Sequence, residues 1–569
     1  MTFFARWRER LSVENARGAA KRAVERLRSI DEPTLVHAML FFALAALTVR
    51  MLYRAPIGPG QDYHYHLMSA AMDARSDSDP LRALYHRIHP LDANSLAYRV
   101  AWPFVRWLGP LRGFQVAVAV LFYVGFPAAV WYALRRSGRA PWGSLIAFIT
   151  VYTRGWAVDG FVPFLSSGSI MVLVVAEWNA LLRQEDPQPK SAMIRGTIAA
   201  VLLFLAHAHT FGWTALWLGV FTCGAVGREL FASSDRRVRE RVRAAVILAG
   251  RSLVMIAPAL ILLVLWRARL EGHAPPLPPP PPGTEWKYPG VEVVLRNAIL
   301  AAPYFLIPIK EAFDLRFVAG IIVVVVSLAL LTRGDPSRSR HFEVLLLVSL
   351  ASYFVLPVTI NGQSIATRHM EFTLWMAPLV LWPSAAFDRR PESERQKRAW
   401  WLPEAALALL LSMFVSNRLE SIERAMVNLN QQELGPMLQL VEPCRRAKRQ
   451  PYSILAYVPM ATESRFVQSV SMHQAHETLA ALCGVETPVY NTNIRPFHTP
   501  PLRYRVPMPA PTGVYQSAYD WPDPGLGIFR HYDLVLTYAW SPNEAQQAIL
   551  DASSTLVGVS GPYRLYRRR

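Results

Sequence analysis

Charged residues are scarce in this chain. They make up 18% of its 569 residues, while 52% are hydrophobic; a soluble domain carries about 25% charge. The shortage is local, because long apolar runs alternate with short arginine-rich stretches. A soluble protein with buried sheets would show apolar runs of roughly 4–8 residues, and these runs are much longer. Nucleic-acid modules are missing as well. No zinc finger or basic zipper accompanies the net charge of +19. The cationic clusters flank apolar runs, so anionic lipids are the expected partners, with no nucleic acid. Cysteine is nearly absent, with three in all. Cys223 falls in an apolar run, and Cys444 and Cys483 lie far toward the C-terminus. A disulfide between the last two is allowed if that segment faces an oxidising compartment. An early apolar segment is lacking too. "MTFFARWRERLSVENARGAAKRAVERLRSI" is basic and amphipathic, whereas a signal peptide turns apolar sooner. Residues 1–33 read as a cytoplasmic or surface-lying amphipathic lead-in.

What is present is the pattern of a polytopic α-helical membrane protein with about 11 transmembrane helices and a C-terminal soluble α/β domain. The expected spans are roughly 35–53, 113–134, 142–158, 165–182, 196–210, 211–227, 244–266, 313–332, 342–360, 371–387 and 400–416. The pair around His207 reads as two short helices meeting in a turn or as one longer segment. The basic loops orient the chain. Arg135, Arg136 and Arg139, the arginines from Arg228 to Arg243, "RGDPSRSRH" and "DRRPESERQKR" all fall on the side of a cytoplasmic N-terminus. The first outer loop breaks the rule with Arg75, Arg82, Arg87 and Arg99. It balances them with Asp62, Asp73, Asp77, Asp79 and Asp92.

The resulting division is a multi-span domain over 34–416, with outer loops 54–112 and 267–312, and an extracytoplasmic α/β domain over 417–569. The run "PPLPPPPPG" is a polyproline spacer. In the tail, "YSILAYVPM" and "YDLVLTYAW" read as strands, 417–440 and 473–483 as helices, and "SPNEAQQAIL" as a capped helix. The arginine- and alanine-rich usage points to a bacterial inner (cytoplasmic) membrane, with the C-terminal domain periplasmic or extracellular.

"GPGQDYHYHLMSAA" begins at Gly58, directly behind the first apolar run. Asp62 and His66 are four apart and share a face if the stretch is helical, with His64 between them. "RGWAVDGF" places Arg154 and Asp159 near the end of the third span. "FLAHAHTFGW" places His207 and His209 at the tip of the fifth. "NGQSIATRHMEF" places Arg368, His369 and Glu371 where the tenth begins. All map to one face of the membrane. Ionisable groups near hydrocarbon are costly to hold, so a functional role is the default reading.

Each also has a structural reading. Asp62 would be a helix cap, His64 an interfacial residue, and His66 bonded to a backbone carbonyl. His207 and His209 would satisfy each other, and Arg154 would pair with Asp159. Arg368 would snorkel to the headgroups, with His369 and Glu371 beside it. One chemistry suits the whole set. A carboxylate at the membrane rim deprotonates a hydroxyl acceptor or holds a divalent cation. A nearby arginine neutralises a phosphate leaving group.

With the acidic residue of "GPGQDYHYHLMSA" early in a long first outer loop, many further spans and a soluble outer C-terminal domain, the chain resembles the GT-C superfamily of membrane glycosyltransferases. The resemblance implies a helical membrane bundle and a polyprenyl-phosphate-linked sugar as donor. It implies an envelope glycan, lipid or protein as acceptor. Asp62 would be general base or metal ligand, and Arg368 would contact the lipid phosphate. Mg²⁺ or Mn²⁺ is the implied ion, with no organic cofactor. Many members pair two acids in this loop. Here Gln61 stands beside Asp62, and the nearest further acids are Asp73 and Asp77.

Two other readings compete. A multi-span transporter of a polar or lipid-linked solute would place polar residues at mid-depth and show internal repeats, and neither is evident. A noncatalytic envelope assembly or glycan-binding protein would work through its tail, with Tyr515, Tyr519 and Trp521 as a binding surface.

Overall fold

The computed structural model describes residues 32–86, 89–153, 155–156, 160–182, 189–231, 237–273, 340–356, 359–360, 363–364, 366–382, 401–449, 453–461, 463–467, 472, 474–487, 503–504 and 532–569. The lead-in up to residue 31, the proline run, the span expected at 313–332, Arg154, Asp159 and the aromatics 515–521 lie outside them.

Seven described helices are long and apolar enough to cross a membrane: Glu32–Arg54, Pro110–Arg136, Val162–Leu182, Pro189–Ala206, Ala208–Phe231, Val238–Arg269 and Leu402–Ala447. Pro141–Thr150 and His341–Val355 are shorter apolar helices. Ala366–Val380 adds another inside the bundle. Where one long span was expected over 142–158, the α-helix occupies only Ser144–Thr150. The chain beyond it is spent on contacts around Gly155 and Gly160, described below.

Val162–Leu182 is the central helix, with 89% of its apolar window buried in protein. Its small residues allow that. A Cβ at Gly168 would stand 2.8 Å from the Trp375 ring, so only glycine lets this neighbour approach. Val238–Arg269 is peripheral, with 22% buried, and turns Leu253, Ile261 and Val264 outward. One end of the central helix is bound by ion pairs. Buried Glu177 accepts from Arg195 Nε at 2.8 Å and from Arg136 Nε at 3.4 Å. Nearby, Arg139 reaches Glu343 at 3.1 Å. The other end carries aromatics and histidines.

The first and last long helices lie side by side. Glu423 joins them, accepting from Arg50 at 2.5 Å and Arg54 at 2.8 Å. Asn430 then brackets Ile57, accepting from its N–H and donating to its carbonyl, each at 3.0 Å. The last helix is continuous as Leu402–Asn428 and passes 416 and 417 without a break.

In the tail, Leu455–Pro459 and Leu534–Tyr538 pair in parallel. Tyr563–Arg568 and then Ser554–Ser560 extend the sheet antiparallel. Asn543 and Gln546 form a reciprocal capping box on Glu544–Ser553. The first outer loop folds against this tail. Tyr85–His86 pairs antiparallel with Arg503–Tyr504, and the Tyr85 hydroxyl donates to Glu486. Two of the loop's arginines are paired within it, Arg75 with Asp79 at 2.6 Å and Arg99 with Asp73 at 3.4 Å.

Cys444 and Cys483 form a disulfide, with Cα atoms 5.9 Å apart.

Candidate active site

The sequence "GPGQDYHYH" folds as an extended glycine followed by a helix, Gln61–Asp73, which we call the loop helix. Its N-cap is Gly60, with no side-chain cap bond, and Asp62 stands in the first turn. Asp62 is thus a first-turn acid of this helix and not its N-cap residue. Gly60 packs directly on the backbone of Gly160, where a Cβ would meet Gly160 Cα at 2.1 Å. Gly160 itself has φ +61°, a conformation that glycine adopts without strain.

His66 is buried, and its Nδ1 is bonded to the Tyr98 hydroxyl rather than to a carbonyl. Its ring meets Phe161 edge-on at 5.3 Å. His64 lies on the opposite face of the loop helix and faces the tail. Asp62 is half-buried and its field reaches two phenols. Burial, then the Tyr65 phenol, then the Asp62 and Asp73 carboxylates hold Tyr98 well above the usual tyrosine range. Burial, then Glu477 and further Asp62 do the same to Tyr65, with a Ser69 hydrogen bond opposing.

Phe161 and Phe164 form a hub at the end of the central helix. The Arg368 guanidinium lies over both rings, at 5.6 and 5.7 Å. His207 meets both rings edge-on, at 5.5 and 5.1 Å. His207 also marks the break between Pro189–Ala206 and Ala208–Phe231, so the two-helix reading of this segment is the one observed. It bonds Thr210 Oγ1 at 2.9 Å. His209 stands 6.1 Å from His207 and 5.7 Å from His369, both edge-on. His369 is in turn 4.3 Å from the Trp213 ring. Glu371 accepts the Gly155 N–H at 2.9 Å, which anchors the segment that continues to Gly160.

The structure thus links His66, His207, His209, Arg368 and His369, drawn from three helices and the break at His207, through one aromatic hub. Asp62 is near through Tyr98. Glu371 holds the adjoining backbone, and His64 points elsewhere. Arg154 and Asp159 lie outside the described residues. His66 Nε2, His209 Nδ1 and His369 Nδ1 are buried with no hydrogen-bond partner among the described residues. Such atoms are costly unless a ligand satisfies them. Among the described residues no three His, Cys, Asp or Glu side chains stand together as a metal-holding group.

Phe161, Phe164, Tyr98, Gly60 and Gly160 are residues that sequence reasoning missed. The glycines flanking "GPGQD" and "VDGF" are the signal that could have found two of them.

Burial pushes His66 down to about 3 from its ordinary 6.5. The loop helix lies outside the membrane spans, so this group meets the bulk pH. The unfolded chain takes up the proton first, below about pH 6.5, while the folded chain resists it until about pH 3. Stability is therefore present above the unfolded value and declines as pH falls from 6.5 toward 3. The expected loss on going from pH 7 to pH 5 is about 2 kcal/mol from this group. Denaturation of H66Q in detergent at both values checks it, since the variant should lack that share of the acid sensitivity.

No family model matches the chain, and no curated protein matches it in sequence. Two solved structures are similar to it in fold. One is ArnT from Cupriavidus metallidurans bound to undecaprenyl phosphate, with TM-score 0.52 and 11% identity over 93% of this chain and 97% of that one. The other is the same protein in the apo state, with TM-score 0.51 and 10% identity over the same shares. The fold of this chain is similar to that of ArnT.

Proposed function

We propose that this chain is an inner-membrane glycosyltransferase. It would move a sugar from a polyprenyl-phosphate donor to an acceptor hydroxyl on the extracytoplasmic face. The observation that carries the reading is the convergence of Asp62, His66, His207, His209, Arg368 and His369 at one end of an ArnT-like bundle. ArnT binds undecaprenyl phosphate in the structure named above, which supports a lipid of that class here. The Cys444–Cys483 disulfide supports an oxidising compartment for the tail.

In this reading the donor lipid runs along the bundle and its phosphate meets the Arg368 guanidinium. Asp62 takes the proton from the acceptor hydroxyl. The oxygen attacks the anomeric carbon, the bond from that carbon to the phosphate oxygen breaks, and polyprenyl phosphate leaves with the negative charge that Arg368 stabilises. The buried imidazoles offer hydrogen-bonding partners for sugar hydroxyls. The acceptor is an envelope glycan, lipid or protein.

The test is transfer from a panel of labelled polyprenyl-phosphate sugars in proteoliposomes, with EDTA and with added Mg²⁺ or Mn²⁺. Transfer that survives EDTA assigns Asp62 the base role, and transfer that requires the ion assigns it a ligand role. R368Q should raise the KM for the donor about 10- to 100-fold, the worth of a charge-assisted hydrogen bond to phosphate. No transfer from any donor, with solute flux into the liposomes, would replace this reading with a transporter.

A further inference from the structure

The face of the loop helix that points away from the site is held by the tail. Successive helix residues are about 100° apart, so His64 lies opposite Asp62 and His66. It is fully buried, and its Nδ1 lies 2.7 Å from Thr478 Oγ1. Thr478 is fully buried too, on the tail helix Ala475–Cys483. That helix is fastened at its C-terminal end. Cys483 is bonded to Cys444, at the end of the last long helix. Arg445 donates to the Leu482 carbonyl from Nε at 3.2 Å and from Nη2 at 2.9 Å.

The glycine contact at Gly60 fixes where the loop helix begins, but a backbone pivot does not set rotation about the helix axis. Side-chain contacts do, and they come from both faces: His66 with Tyr98 and Phe161 on the site side, and His64 with Thr478 on the far side. A rotation of about 20° carries a side-chain tip some 6 Å from the axis through about 2 Å. Displacement of a reacting group by about 1 Å costs up to about 100-fold in rate.

We propose that Thr478 is a positioning residue for transfer. Through His64 it sets the rotation of the loop helix, and the Cys444–Cys483 disulfide keeps it in place. The inference rests on the transferase reading above. A hydroxyl donates or accepts, so threonine suits either tautomer of His64; valine does neither at nearly the same volume.

The experiment compares wild type, T478V and T478S in the proteoliposome assay, and wild type after reduction with TCEP. T478V should lose kcat about 10- to 100-fold, with the donor KM changed less than about twofold, because the donor's phosphate contact is elsewhere. T478S should recover to within about threefold, and reduced wild type should resemble T478V. Amide hydrogen exchange runs alongside. T478V and reduction should each raise exchange over 61–73 about tenfold and leave the membrane helices unchanged.

Unchanged kcat in T478V, beside an inactive D62N, overturns the inference and leaves the transferase standing. Raised exchange throughout the bundle in T478V also overturns it, because Thr478 then only stabilises the fold. If wild type transfers from no donor, the transferase reading fails on its own. Exchange over 61–73 then decides whether the tail helix positions the loop helix, and no change on reduction shows that it does not.

Discussion

Replacing Asp62 by Asn lowers kcat for transfer by about 10²–10⁴-fold, the range that a positioned general base contributes. The donor KM stays near the wild-type value, because the amide keeps the shape of the carboxylate and the lipid phosphate is held elsewhere. Asp62 is the carboxylate in the first turn of the loop helix, half-buried, with its field on Tyr98 and Tyr65. Tyr98 in turn bonds His66, whose ring touches the Phe161 hub. Steady-state transfer by purified D62N, with circular dichroism matching wild type, checks this. Transfer at the wild-type rate would move the base to another residue.

Replacing Gly60 by Ala has the next largest effect. The added methyl would sit 2.1 Å from Gly160 Cα, 2.3 Å from Gly160 N and 2.9 Å from the Trp156 carbonyl. All three obstacles are backbone, so no rotamer relieves them. The loop helix must shift or the 155–160 segment must open. Overpacking of this kind costs about 1–3 kcal/mol, and the upper end is expected here because both partners are main chain. The Gly155 N–H to Glu371 bond lies on the segment that would yield. Transfer should fall about 100-fold through misplacement of Asp62 and His66. Thermal unfolding in detergent and the transfer assay read the two effects separately. A G60A protein with wild-type stability and rate would show that the two segments are not in contact in the working enzyme.

Much of this arrangement was legible from residue spacing. The four-residue step from Asp62 to His66 does lie on a helix, and "YSILAYVPM" and "YDLVLTYAW" contain strands because each is a short continuous apolar run, buried along its whole length. Their parallel pairing was not legible, since two segments some eighty positions apart carry no shared period. The segment around His207 read equally as two helices or one, with the boundary expected at 210–211, and the break stands at His207. The Phe161 hub was not, because an aromatic at a span end reads as packing until its neighbours are known. Thr478 is invisible in sequence for a plainer reason. A threonine in a short buried helix has no signature until its partner, 414 positions away, stands beside it.

That separation also orders the assembly of the protein in time. The loop helix is synthesised soon after the first span, yet its outer face must wait for Thr478, and Tyr85 must wait for Glu486, 401 positions later. During synthesis of the intervening helices, the candidate site lacks its outer wall. That face is completed only once the helix Ala475–Cys483 and the strand Arg503–Tyr504 have been made and have closed against the first loop.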